Sequence, residues 1–158
     1  MIKNKLMLLI AICMLSLNSP AQVKSNNKNM YQNIANSIFN GWQTGEAGRG
    51  YYNFKKYVVA DGFQYFSHPL LGNYSGKEAY EKLIGLVKER EVKPNMLKFS
   101  NIISYQHNNS FCFQFDSEGK VADGFDYKGY NIIQLEIKEG KLIGFREYFG
   151  YINPSWFK

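Results

Sequence analysis

Apolar residues in the first half of the chain recur at helical spacing. Along Met30–Trp42 they fall at steps of three and four, which places them on one face of a predicted helix. A second helix is predicted to open at the capping box Ser75-Gly76-Lys77-Glu78 and to stop before Pro94. A weaker helical pattern covers residues 52–59. The first half is therefore predicted to be mainly helical.

From Met96 onward the pattern changes to the alternation typical of strands. Phe111, Phe113 and Phe115 alternate with less apolar residues, which predicts a strand with one aromatic face. The other predicted strands cover residues 63–68, 97–107, 127–138 and 141–149, with turns at Asn108-Asn109 and Glu139-Gly140 and a polar loop at 117–124. Helices followed by antiparallel hairpins predict one α+β domain over residues 30–158.

Residues 1–21 have the pattern of a secretory signal peptide. Two lysines precede the apolar run Leu6–Leu17, and small Ser19 and Ala21 stand at positions −3 and −1 of a cut after Ala21. The run is shorter than the roughly 20 apolar residues that span a bilayer. We therefore expect an exported protein, periplasmic or secreted, without a stable membrane anchor after cleavage. Polar residues 22–29 are predicted to form a flexible leader.

Charge and cysteine content argue against several classes of site. The net charge is +6, but the basic residues are scattered among acids and Lys55-Lys56 is the only adjacent basic pair, so we expect no nucleic-acid binding. Removal of the signal peptide would leave Cys112 as the only cysteine, which excludes an intramolecular disulfide. No His/Cys pair has the spacing of metal ligands, and no phosphate-binding loop is present.

Two stretches of the sequence resemble a known family. Tyr130–Phe149, which ends in Arg-Glu-Tyr-Phe, resembles the closing hairpin of SnoaL-like proteins of the NTF2-like superfamily. It is most similar to the phenazine-biosynthesis A/B branch, whose last strand has a similar Arg-Glu-aromatic ending. His68–Ala79 resembles the family's passage from its first strand into its third helix.

The resemblance implies a fold and a general mode of action. It implies an NTF2-like cone, in which N-terminal helices pack in a curved antiparallel sheet around an apolar cavity. It also implies a small apolar or aromatic ligand and a homodimer formed through the sheet. Enzymes of this family generally use side-chain acids and bases, so no metal or organic cofactor is expected.

Glu147 is the first candidate for acid–base chemistry. Counting outward from the turn Glu139-Gly140 sets Ile132 opposite Glu147 and predicts an apolar face shared with Phe145, while Arg146 points to the other face as an interface or sheet-surface residue. Burial there would raise the pKa of Glu147 and make it a proton carrier. In the phenazine branch the glutamate of this motif is a catalytic acid, and Glu147 matches it. The alternative is a glutamate paired with a base on the outer face.

His68 is the second candidate, because it is the only histidine in a predicted pocket segment and can exchange a proton near neutral pH. The alternative is a histidine that only forms a hydrogen bond at a strand corner. Aromatic residues predicted to line a ligand site are Trp42, Tyr65, Phe66, Phe113 and Phe115. At these spacings aromatic residues also form ordinary core.

Three functions follow from these residues. The first is an isomerase- or cyclase-type enzyme in which Glu147 transfers protons with the help of His68. The second is a ligand-binding protein with the same cavity and no chemistry. The third is a dimeric adaptor that docks another protein on an exposed apolar face of the sheet.

Overall fold

The computed structural model describes residues 20–43 and 54–149. The chain divides into two compact units, Met1–Met30 and Tyr31–Lys158, and the second contains the sheet and the core. Residues 1–19 of the predicted signal peptide, part of the weakly helical segment 52–59 and the tail 150–158 lie outside the described residues. The cut after Ala21 stays a prediction. None of the helices in the described part is long and apolar enough to cross a membrane.

Helix α1 covers Pro20–Trp42. It begins ten residues before the predicted start at Met30, so that residues 22–29, expected to be a flexible leader, are helical. Its second half buries the predicted apolar face against the core: Ile34, Ala35, Ile38, Phe39 and Trp42. The helical spacing of these residues is therefore confirmed.

Helix α2 covers Gly76–Val92 and ends before Pro94, as predicted. Ser75 is its N-cap residue, but its side chain makes no capping hydrogen bond, so the predicted capping box is wrong in this respect. Ser75 is also the last residue of a strand, and Gly76 has a positive φ of 58°. The chain therefore enters the helix through a left-handed residue, and the Ser75 hydroxyl does not reach the free amides of the first turn.

Six strands form one sheet: β1 (Tyr65–His68), β2 (Gly72–Ser75), β3 (Met96–His107), β4 (Ser110–Lys120), β5 (Asp126–Lys138) and β6 (Lys141–Phe149). Their order is β2-β1-β6-β5-β4-β3. All neighbours are antiparallel except β1 and β6, which are parallel. Strand β2 was not predicted, and the polar loop predicted at 117–124 is partly wrong because β4 continues to Lys120. The two helices and the mixed sheet confirm the α+β class.

One face of the sheet, called the inner face here, packs against both helices. Phe111, Phe113 and Phe115 of β4 are buried on it, as their alternation predicted. The Phe39 ring of α1 stacks on Phe113 with 4.2 Å between ring centroids. These aromatic contacts fix the end of α1 over the sheet.

A bulge in β6 changes the predicted register. Lys138 is opposite Lys141, as expected, but Glu136 pairs with Gly144, so that Ile143 is an extra residue on β6. The predicted pairing of Ile132 with Glu147 is therefore wrong, and Ile133 is opposite Glu147.

Gly119 in β4 lies where the backbone of Met96 comes very close. Its φ is +140°, and a Cβ atom there would lie 2.1 Å from the carbonyl oxygen of Met96. Because backbone must move to relieve this clash, we expect Gly119→Ala to lower the free energy of unfolding by about 2 kcal/mol or more. Urea denaturation should show no such loss for the control Gly85→Ala, since a Cβ at this helical glycine meets nothing within 4 Å.

Candidate functional site

The parallel pairing of β1 with β6 brings His68 beside Glu147. Phe66 pairs with Phe145 and Ser67 with Arg146, so the next step of the same register sets His68 next to Glu147. Both side chains lie on the inner face and are buried, with 8% and 6% of their surface exposed. The two predicted acid–base residues are thus adjacent in the core.

Both carboxylate oxygens of Glu147 have a close partner. The Nε1–H of Trp42, at the end of α1, donates a hydrogen bond of 3.1 Å to Oε1. Nε2 of His68 lies 3.4 Å from Oε2. A helix and two strands therefore fix the position of this carboxyl group. We call Trp42, His68 and Glu147 the acid–base cluster.

The local backbone determines the tautomer of His68. The N–H of Leu70, in the turn after β1, donates to Nδ1 at 3.2 Å. Nδ1 is therefore an acceptor, and the proton of the neutral ring is on Nε2, the nitrogen that faces Glu147. The turn thus orients the ring and its proton toward the carboxyl group.

Burial moves both pKa values of the pair. Desolvation raises the pKa of Glu147 to about 7, although the Trp42 hydrogen bond and the charge of Arg90 act in the opposite direction. Desolvation, with a smaller effect of Arg90, lowers the pKa of His68 to about 4. Near pH 6 the pair is therefore neutral, with the proton of the carboxyl group retained and the imidazole uncharged. Glu147 can accept or release a proton close to neutral pH.

A second polar group lies on the inner face of β4 and β5. The Tyr127 hydroxyl donates to Asn131 Oδ1 at 2.6 Å, and Asn131 Nδ2 donates to Ser117 Oγ at 2.9 Å. All three residues are buried. Burial raises the pKa of Tyr127, and the negative charge of Glu147 contributes to the shift. This network therefore lies within electrostatic reach of the acid–base cluster.

The predicted aromatic residues do not all come together. Phe66 lies near His68, with 6.1 Å between ring centroids, and Trp42 binds Glu147. Phe113 and Phe115 pack instead around Phe39 of α1.

Tyr65 lies on the outer face of β1, and the Arg146 guanidinium lies 4.0 Å from the centre of its ring. The structure therefore separates Tyr65 from the cluster, because successive residues of a strand point to opposite faces. Arg146 lies on this outer face, as predicted.

Sequence reasoning missed Arg90, Tyr127, Asn131 and Ser117. Arg90 follows Leu86 by four positions and Val87 by three, so it was detectable as a lone charge on the apolar face of α2. Ser117 continues the alternation of the phenylalanines of β4. A polar residue that continues a buried face is the signal that could have identified these positions.

The described residues contain no group of three or more His, Cys, Asp and Glu side chains that could hold a metal ion.

Solved structures with a similar fold were found, whereas no protein-family model and no curated protein matches the sequence. An NTF2-like protein from Anabaena variabilis is 22% identical and superposes with a TM-score of 0.60, covering 78% of this chain and 91% of that chain. A candidate SnoaL-like polyketide cyclase from Shewanella putrefaciens is 13% identical, with a TM-score of 0.57 and coverage of 86% and 91%. A phenazine biosynthesis-related protein from Pseudomonas aeruginosa is 17% identical, with a TM-score of 0.52 and coverage of 77% of each chain.

These likenesses agree with the element order, the mixed six-stranded sheet and the helices on its inner face. The chain therefore has the NTF2-like fold, as its resemblance to SnoaL-like and phenazine-biosynthesis proteins implied.

Proposed function

We propose that this protein binds a small, largely apolar organic molecule and transfers a proton on it through Glu147, without a cofactor. The observation that carries the proposal is the buried carboxyl–imidazole pair, with Glu147 Oε2 and His68 Nε2 3.4 Å apart. A buried carboxyl group whose pKa is raised toward neutrality is typical of functional sites, so this property of Glu147 in an aromatic core supports a functional role.

The proposed chemistry is an isomerase- or cyclase-type proton shift. The ionised Glu147 removes a proton from a carbon next to a carbonyl group of the ligand, and the electron pair of that bond moves to the carbonyl oxygen as an enolate. The protonated Glu147 then returns the proton to another carbon, so that atoms and charge balance. His68 is a positioning residue in this scheme, since its Nε2 faces the carboxyl group. A pKa of about 7 suits Glu147 to both steps.

Two features support an apolar ligand. Aromatic rings of Trp42, Phe66 and Phe145 surround the acid–base pair, and ligand sites in proteins are mostly apolar with few polar groups. The candidate polyketide cyclase of the same fold is named for chemistry on an organic substrate.

Export and assembly form a further part of the proposal. We propose that the chain is cut after Ala21 and works outside the cytoplasm, as a homodimer joined through the outer face of the sheet. Tyr130 and Tyr148 are 74% and 48% exposed on neighbouring strands, and large exposed aromatic side chains on this face support its use as the dimer interface. N-terminal sequencing of the exported product and light scattering of the mature chain test these two points.

The experiment follows deuterium incorporation from D2O into small ketones, with 2-tetralone and cyclic β,γ-unsaturated ketones as probes. We expect the protein to accelerate exchange at the carbon next to the carbonyl group, and Glu147→Gln to lower the rate by about a hundredfold. The control Glu118→Gln removes an exposed carboxylate that pairs with Lys128, and it should retain the full rate.

Probe binding without exchange in the unmodified protein would favour the alternative, a ligand-binding protein with no chemistry. Equal rates for the Glu147→Gln variant and the unmodified protein would exclude Glu147 as the proton carrier.

A further inference from the structure

A glycine in β6 lets an aromatic ring lie flat on the outer face of the sheet. Tyr65 of β1 pairs with Gly144 of β6, and a Cβ atom at position 144 would lie 2.4 Å from Cζ of the Tyr65 ring. A residue without a side chain is therefore needed to leave room for the ring. Tyr65 thus forms a flat aromatic surface at this point of the outer face.

The Tyr65 ring fixes the position of a guanidinium group. Arg146, two residues after Gly144 on the same face, has its guanidinium carbon 4.0 Å from the centre of the ring. The Arg146 side chain is half-buried. A guanidinium group that is already held on a ring loses less conformational freedom on binding, so Arg146 is preorganised for a contact with a partner.

A carboxylate lies beside this guanidinium group, one strand away. Glu136 of β5 pairs with Gly144. Because Arg146 is two residues after Gly144, it lies diagonally across from Glu136 on the outer face. Nε2 of Gln134 donates to Glu136 Oε1 at 3.3 Å, and the Glu136 side chain is half-buried. One positive and one negative charge, each held by a neighbouring side chain, are therefore neighbours on this face.

Apolar side chains flank the two charges. Tyr148 and Ile132 are opposite each other on β6 and β5, with Tyr148 48% exposed and Ile132 half-buried. Ile103 and Tyr105 of β3 are 52% and 55% exposed on the same face and continue the apolar surface to the sheet edge. Aromatic residues and arginine are enriched in protein interfaces, so this face has the composition of a contact surface.

The two charges favour a second copy of the chain as the partner. Arg146 and Glu136 sum to zero, so they attract neither a basic nor an acidic partner by net charge. A two-fold axis between two stacked sheets, passing midway between Arg146 and Glu136, sets each residue over the other one in the second copy. A surface with one charge of each sign is thus complementary to itself.

Resting on the proposed homodimer, we infer that its interface contains two reciprocal ion pairs, in which Arg146 of each protomer binds Glu136 of the partner subunit. The Tyr65 ring holds the guanidinium group of each pair in position. The pairs determine how the two sheets are aligned, and the apolar residues around them exclude water from the contact.

Sedimentation velocity over a range of protein concentrations tests the pairs through two charge reversals, Arg146→Glu and Glu136→Arg. We expect each variant alone to dimerise about a hundredfold more weakly than the unmodified protein, because both contacts then join like charges. An equimolar mixture of the two variants should recover dimers, since every contact again joins opposite charges. The control Lys88→Glu reverses an exposed charge on α2 and should leave the dimer unchanged.

Two further variants separate the pairs from overall charge and from damage to the fold. The double variant with both reversals has the net charge of the unmodified protein and should dimerise as the unmodified protein does. Glu136→Gln keeps the size of the side chain and should dimerise about tenfold more weakly, so it serves if a reversal prevents folding.

Variants of a dimeric protein that dimerise as tightly as the unmodified protein overturn the inference and leave the homodimer in place. Weak dimerisation that neither the mixture nor the double variant restores also overturns it, because reciprocal pairs require recovery. A monomeric unmodified protein overturns the homodimer and the ion pairs together. The proton transfer proposed for Glu147 is tested separately by deuterium incorporation, so its failure is distinguishable from all of these results.

Discussion

Between pH 4.5 and 6.5 a Glu147→Gln variant should become more stable as the pH rises, and a His68→Gln variant should become less stable. In the unmodified protein, this pair should contribute no change of stability with pH in this window. The expected size is about 3 kcal/mol in the free energy of unfolding for each single variant across this window, in opposite directions.

The signs follow from the protons that each state binds. Burial raises the pKa of Glu147 from 4.5 to about 7, so in this window the folded state keeps a proton that the unfolded state has lost, and stability falls as the pH rises. Burial and Arg90 lower the pKa of His68 from 6.5 to about 4, so the unfolded state holds the extra proton and stability rises with pH. In the unmodified protein, Glu147 and His68 together hold one proton in the folded state and one in the unfolded state. Their opposite effects on the pH dependence of the free energy of unfolding therefore cancel.

Urea denaturation at several pH values measures these slopes for the unmodified protein, both single variants and the double variant. Other titrating groups are common to all four proteins, so differences between them isolate the pair. The double variant should again lack the slopes, and Glu118→Gln should behave like the unmodified protein because its side chain is exposed. The neutral pair would be contradicted if, after subtraction of the slope of the unmodified protein, both single variants had slopes of the same sign.

The helices and the main hairpins could be predicted because their cause is local. The buried face of α1 follows from helical spacing. The turn at Glu139-Gly140 is indicated by its glycine, which tolerates positive φ; the observed φ values of the two residues are 51° and 74°. Each of these signals depends on residues a few positions apart.

The register around Glu147 could not be predicted, because it depends on contacts that are distant in sequence. Ile143 and its neighbours look equally suited to a regular strand and to a bulge, and the bulge exchanges the faces predicted for Ile132 and Ile133. The parallel pairing of β1 with β6, which brings His68 to Glu147, joins segments separated by most of the domain. The candidate residues were therefore identifiable from the sequence, whereas their geometry was not.

Phe39→Ala should lower the free energy of unfolding by about 4 kcal/mol, the largest stability loss that we expect from a single core substitution here. Its ring is 2% exposed and lies among Phe99, Phe113 and Phe115, with centroid distances of 5.7, 4.2 and 5.2 Å. Removal of the ring leaves a cavity lined by rigid aromatic groups that cannot collapse readily, which explains a cost near the upper end for such substitutions.

The Phe39→Ala substitution should also affect the acid–base cluster. Trp42 lies three residues after Phe39 on the same face of α1 and donates its hydrogen bond to Glu147, so a looser helix end weakens the contact that holds the carboxyl group. Urea denaturation should show the loss of stability, and the control Asn40→Ala, on the exposed side of the helix, should change it by less than about 0.5 kcal/mol. A loss for Phe39→Ala as small as that of the control would mean that the aromatic cluster does not anchor α1. The position of Trp42 at Glu147 would then need another cause.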